Sequence, residues 1–215
     1  IFDTINSLGV SLTTGELLKN FVFSKDSVDQ YLSKWKPVFE DDEDVINYWN
    51  SRTSQGRLSR SNFDNFLYAY IHIKINDPIF NISSNDKQRF RSAENLFGQY
   101  KDFLNLTNQS MMSFVQDLTS YAKLYRQFIS PSVLDEEVSK EYGIERVNVI
   151  IFRLDSTTLI PYVLFVLKNQ TDEAERKEIF RILESYIMRR LICKSTNDNY
   201  SDLFSLHLIN SQILT

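Results

Sequence analysis

Residues 108–129 read NQSMMSFVQDLTSYAKLYRQFI, and their spacing decides the fold class. Met111, Phe114, Val115, Leu118, Tyr121, Ala122, Leu124, Tyr125 and Phe128 recur at three- and four-residue intervals. In an α-helix those intervals bring side chains onto one face, so the stretch predicts a long helix with one apolar side. A Met and aromatic stripe of this kind reads as core rather than as a cofactor box. Pro131 closes it.

Toward the C-terminus, Asp135-Glu136-Glu137 lead into Ile144–Leu154, apolar on most sides. Its Val-Ile-Ile run has no second strand candidate to pair with, so a buried helix is expected. Thr158–Leu167 is apolar all round, with Pro161 suited to a first helical turn, and reads as the most buried helix. Glu173–Cys193 is amphipathic, with Ile179, Phe180, Leu183, Tyr186, Ile187 and Ile192 on its apolar side. A last helix is expected over Tyr200–Leu214.

Toward the N-terminus, Ser83–Asp86 offer caps for a helix to about Leu104, with Phe90, Leu96, Phe97, Tyr100 and Leu104 inward. Phe63–Asn76 predicts a core helix through Phe63, Phe66, Leu67, Tyr70, Ile71, Lys74 and Ile75. His72 lies off that stripe. His207 is the only other histidine, so no zinc constellation is expected. Ser51–Ser61, SRTSQGRLSRS, reads as a loop carrying Arg52, Arg57 and Arg60 and no acid. Such arginines suit phosphate contact, being planar, permanently charged and bidentate; equally, the stretch is a solvated connection. The run Glu40-Asp41-Asp42-Glu43-Asp44 lacks the alternation and Gly of a calcium loop and fits a helix N-terminus. Asp26–Glu40 predicts a helix with Val28, Tyr31, Leu32 and Trp35 on one side, ended or kinked by Pro37.

The first residues, IFDTINSLGVSLTTGELLKNFVF (1–23), form a turn followed by a helix start. Gly9 can take the left-handed conformation that ends a helix. Thr13 and Glu16 form a capping box, and Leu12 with Leu17 a hydrophobic staple. Phe2, Ile5, Asn6, Gly9, Leu12, Glu16, Leu17, Lys19 and Asn20 together resemble the closing motif of the ParB-like domain in bacterial GmrSD-type, modification-dependent restriction proteins. Tyr186–Cys193 with Ser195-Thr196-Asn197 resembles that family's arginine-pair segment near the end of its helical region. The resemblance implies that residues 1–23 end a truncated nucleotide-hydrolysing domain and that 24–215 form the helical domain before an HNH nuclease domain. Asn6 and Gly9 would then edge a nucleotide pocket. An NTP and a divalent metal would serve the full-length protein, and the missing N- and C-terminal domains would be its partners.

Composition bounds the rest. The 215 residues include only 5 Gly and 4 Pro, against 16 Phe and 11 Tyr, so few breakers interrupt the helical patterns. An all-α, irregular bundle of about eight to ten helices is expected, with no significant sheet. A net charge of −4 gives no general attraction to nucleic acid, so any DNA contact is weak and local. One cysteine forms no internal disulfide and suits a cytoplasmic setting. No apolar run reaches a membrane span, and a first residue other than Met suggests a fragment.

No Gly-rich phosphate loop, D-G-Q-Q-R-like stretch, His-Asn-His set or nucleophile–base pair stands in the chain, so no catalytic residue, metal site or cofactor is assigned to it. Two roles remain. One is a helical scaffold that couples a nucleotide-hydrolysing domain to a nuclease domain; the other is a general helical protein-binding module. Arg189 and Arg190 join Arg52, Arg57 and Arg60 as DNA candidates. Adjacent helical residues point about 100° apart, so the two cannot both be central on one face. Neither has an acid one turn away, so a structural partner is expected from another helix. Phe2 and Ile5 are expected to be buried, on the helical body or in a homodimer.

Overall fold

Thr13 opens the first helix as its side chain predicts. Its hydroxyl accepts the Glu16 N–H at 3.2 Å, and the Glu16 carboxylate accepts the Thr13 N–H at 2.8 Å. That reciprocal box starts α1 (Thr14–Val22). The computed structural model describes residues 12–23, 27–55, 58–90, 94–129 and 137–194. Phe2, Ile5, Asn6, Gly9, Arg57, Pro131, Ser195–Asn197 and the helix expected over Tyr200–Leu214 lie outside them.

A single turn, α2 (Val28–Gln30), runs into a π-helical turn (Tyr31–Trp35) and on into α3 (Lys36–Phe39). This corrects the expected uniform helix. A π turn takes in an extra residue and so rotates the inward face. Trp35 is 1% exposed, while Val28 and Leu32 are half exposed at 51% and 48%. Pro37 does not itself end the segment, which runs on to Phe39. It occupies the first turn of α3, where no N–H is required. In α4 (Glu43–Asn50), Asp42 caps the helix by accepting the Val45 N–H at 2.8 Å, and Glu43 and Asp44 fill the first turn as expected.

The stretch read as a loop is an antiparallel hairpin, β1 (Arg52–Gln55) with β2 (Leu58–Ser61), the only sheet among the described residues. Asn62 closes its base. The Asn62 N–H donates to the Ser51 carbonyl, and its side-chain amide donates to the Tyr48 carbonyl at 2.9 Å. Such polar ties define the hairpin without the apolar alternation that would announce a strand.

After the hairpin come α5 (Asn62–Lys74), a 3-10 turn (Pro78–Phe80), α6 (Ser84–Arg89), α7 (Leu96–Thr107) and α8 (Met111–Phe128). Then follow α9 (Ile144–Arg153), a second 3-10 turn (Thr157–Leu159), α10 (Ile160–Asn169) and α11 (Glu173–Ile192). The fold is all-α apart from the hairpin. The single helix expected from 83 to 104 is in fact two. Asn95 adopts φ 54° and starts α7 afresh, its side chain accepting the Gly98 N–H at 3.2 Å. The expected positions of α9, α10 and α11 hold. Every residue from Ile160 to Leu167 is buried.

At the centre lies α5. It packs against α1, α4, β2, α7, α8 and α10 and is buried almost around its circumference. His72, read as lying off the apolar stripe, is therefore inside as well, 4% exposed and with its ring 4.3 Å from that of Tyr68. Trp35, Phe39, Trp49, Phe63, Phe66 and Tyr125 build an aromatic layer over one end of α5. Edge-to-face and tilted pairs of this kind add to the area they bury. The Trp49 indole donates to the Val38 carbonyl at 2.8 Å, so its one polar atom is satisfied. Leu18 and Val22 of α1 and Phe180, Leu183 and Ile187 of α11 all enter the same apolar cluster.

Candidate functional site

The hairpin separates two of its arginines. Arg52 stands opposite Ser61 and Thr53 opposite Arg60. Side chains alternate along each strand, so Arg52 and Arg60 rise from opposite faces of the ribbon. Arg52 turns back on its own face, donating to the Ser59 carbonyl at 2.5 Å and to the Ser59 hydroxyl at 3.4 Å. It remains exposed. The Arg60 guanidinium lies 5.7 Å from the centre of the Tyr68 ring, a cation–π contact that fixes its direction. The two arginines therefore form no single flat basic patch.

Arg189 and Arg190 end α11. Arg190 lies over the Tyr186 ring at 5.6 Å and donates to the Tyr186 hydroxyl at 3.1 Å. At least one partner of Arg190 is thus on its own helix. It is one turn back, an aromatic ring and hydroxyl rather than an acid. Arg189 is exposed and makes no ion pair among the described residues.

A polar cluster that the periodicity does not reveal sits beside α5. Lys74 is nine-tenths buried and holds Asp77 at 3.1 Å and Asp117 at 3.2 Å. Asp117 also accepts the Tyr70 hydroxyl at 2.7 Å. Burial, then the Asp117 charge and hydrogen bond, push the Tyr70 phenol well above its ordinary range, so it stays a donor. The Lys74 ammonium lies 5.4 Å from the Phe80 ring. Each charge here is met by a protein partner, so the cluster fastens α5 to α8 and offers no free base or nucleophile. The signal for it was present. Lys74 continues the apolar stripe of α5, which a lysine does only when its head group has a partner.

Surface clefts among the described residues include two. The larger, about 450 Å³, lies where Ser139–Glu145 meet α11. Its charges are mixed: Lys140, Arg176 and Lys177 against Glu141, Glu145 and Glu173, with Lys177 and Glu173 paired at 3.0 Å. Beside it Arg146 grips Glu184 through two hydrogen bonds, 2.6 and 2.7 Å, and donates to the Ser139 carbonyl at 2.6 Å, joining α9 to α11. The smaller cleft, about 330 Å³, lies between α3 and α8 and carries Lys123 and Arg126. Among the described residues no three His, Cys, Asp or Glu side chains gather to hold a metal ion. No described helix is long and apolar enough to cross a membrane.

No protein family, curated protein or solved structure matches the chain.

Proposed function

We propose that this chain is the helical coupling body of a restriction-type protein that defends against foreign DNA. In that reading it links a nucleotide-hydrolysing domain before it to an HNH nuclease domain after it, without catalytic residues of its own. The observation that carries the reading is mechanical. The first described helix, α1, and the last, α11, both insert into one apolar cluster around α5. A domain attached ahead of Thr13 and one attached behind α11 would each pull on the same packed core. Close-packed interiors transmit displacement rather than absorb it. The motif residues Glu16, Leu17, Lys19 and Asn20 and the segment Tyr186–Cys193 support the family reading. Arg52 and Arg60 support weak contact with the DNA backbone along the hairpin.

The parent protein tests this. Because α1 packs into the helical core, the junction is set ahead of Leu12 rather than after residue 23, and inserting a flexible Gly/Ser linker there should leave nucleotide hydrolysis intact and abolish DNA cleavage that depends on it. Cleavage that persists at the parent rate would reject a coupling role, and a parent without either flanking domain would reject the family reading. The chain alone is expected to hydrolyse no nucleoside triphosphate and to cut neither plain nor modified DNA with Mg²⁺ or Mn²⁺.

A further inference from the structure

The outer face of α11 carries large apolar side chains in solvent: Ile182 is 57% exposed and Ile192 77%. Ile192, expected on the buried side, is among the most exposed apolar residues described. Glu175, Glu178, Ile182, Ser185, Arg189 and Ile192 follow one another at alternating three- and four-residue steps. That spacing places all six on one stripe, opposite Phe180, Leu183 and Ile187, which face the core. The stripe is acidic at its N-terminal end, basic at its C-terminal end, and has Ile182 beside the small Ser185 at its middle.

We infer that this stripe is a self-association surface, and that its occupant is the α11 helix of a second copy of this chain, packed antiparallel about a two-fold axis. The argument is charge and shape complementarity. In an antiparallel two-fold pairing every contact occurs twice, so the stripe must be complementary to its own reverse. Placing Glu178 against the second copy's Arg189 sets Ile182 against its Ser185, and Glu175 against its Ile192. Opposite charges then meet at both flanks, and each Ile182 fills the space left by a serine. A parallel pairing would instead set Glu178 against Glu178 and Arg189 against Arg189, which costs free energy at each flank. Glu178 already makes an ion pair with Arg181, one turn on, but both side chains are about half exposed and free to share a second partner. The contact is one helix wide, with apolar side chains only at its middle and one end, so the dimer forms at high concentration rather than at nanomolar levels.

Sedimentation of the full chain over a wide concentration range tests the inference. The wild type should move from 25.3 kDa toward twice that mass as concentration rises. Glu178→Arg and Arg189→Glu should each remain monomeric, because each places like charges opposite one another. Mixed in equal amounts, the two variants should associate, since every flank then pairs an arginine with a glutamate; circular dichroism of each alone checks that it folds. A wild type that stays monomeric, whether because another part of the chain covers the stripe or because nothing does, would overturn the inference. So would single variants that associate as well as the wild type, or a mixture that does not.

Discussion

Glu40 shows how one carboxylate can organise several turns. It accepts hydrogen bonds from the Lys19 ammonium at 2.9 Å, the Tyr31 hydroxyl at 2.6 Å and the Trp35 indole at 3.2 Å. These three donors come from α1 and the π-helical turn, so the carboxylate ties the first helix to the body. Burial alone would raise its pKa, but the hydrogen bonds from Tyr31 and Lys19 and the lysine charge outweigh burial and hold it below the ordinary 4.5. A depressed carboxyl stabilises the fold above the unfolded value and loses that contribution as pH falls through the folded one. Glu40→Gln should therefore cost about 2 kcal/mol at neutral pH, the worth of hydrogen bonds to a charged acceptor. Urea denaturation of both proteins should show that gap at pH 7 and a much smaller one near pH 3; a gap unchanged with pH would mean that the charge on Glu40 contributes nothing. In the sequence Glu40 looked like the first member of an acidic helix start. Asp42, Glu43 and Asp44 do fill that role, but Glu40 faces the other way, because its partners lie five, nine and 21 residues back and no regular helical spacing reveals them.

At the scale of elements, local chemistry predicted starts better than interruptions. The capping box of α1 was legible because it is a bond between residues three apart, and the acidic start of α4 because negative charge gathers at a helix N-terminus. The break before α7 was not. It rests on Asn95 holding φ 54°, a conformation that asparagine tolerates but does not announce. Asn95→Ala should cost about 1–2 kcal/mol, from the lost cap and the left-handed backbone, and Asn95→Gly clearly less, because glycine takes that backbone freely. Thermal melts of the two variants decide it, and equal losses would show that the backbone conformation carries no weight. The hairpin was missed for a related reason: its strands are Ser- and Arg-rich, and side-chain bonds from Asn62 close its base. If Arg52 and Arg60 contact phosphates from the two ribbon faces, each alanine substitution should lower the slope of log affinity against log salt by about one unit, independently of DNA sequence. Fluorescence anisotropy on a short duplex at low salt measures this; a slope that does not move, or no binding at all, makes the hairpin a structural cap on α5.

For the whole molecule, the all-α class, the long stripe of α8 and the burial of α10 were all legible, since each is a property of spacing along one helix. What spacing could not supply is which helix lies at the centre. The position of α5 inside a ring of neighbours explains why His72 and Lys74 are buried and why Lys74 needs Asp77 and Asp117. Nor could the sequence place Arg52 and Arg60 relative to one another, since strand register and the stacking of Arg60 on Tyr68 are three-dimensional facts. The coupling role rests on α1 and α11 being parts of one packed unit. Equilibrium urea unfolding of the full chain, followed by one fluorescent probe on the native Cys193 and, in a Cys193→Ser background, another on Asn20→Cys, tests that directly. Both sites are exposed, so labels at the two ends of the body leave the core undisturbed. A single coupled body predicts one midpoint and one slope for both probes. An α1 that melts at lower urea than α11 would contradict it, because a first helix that detaches by itself cannot pass force or signal through the core.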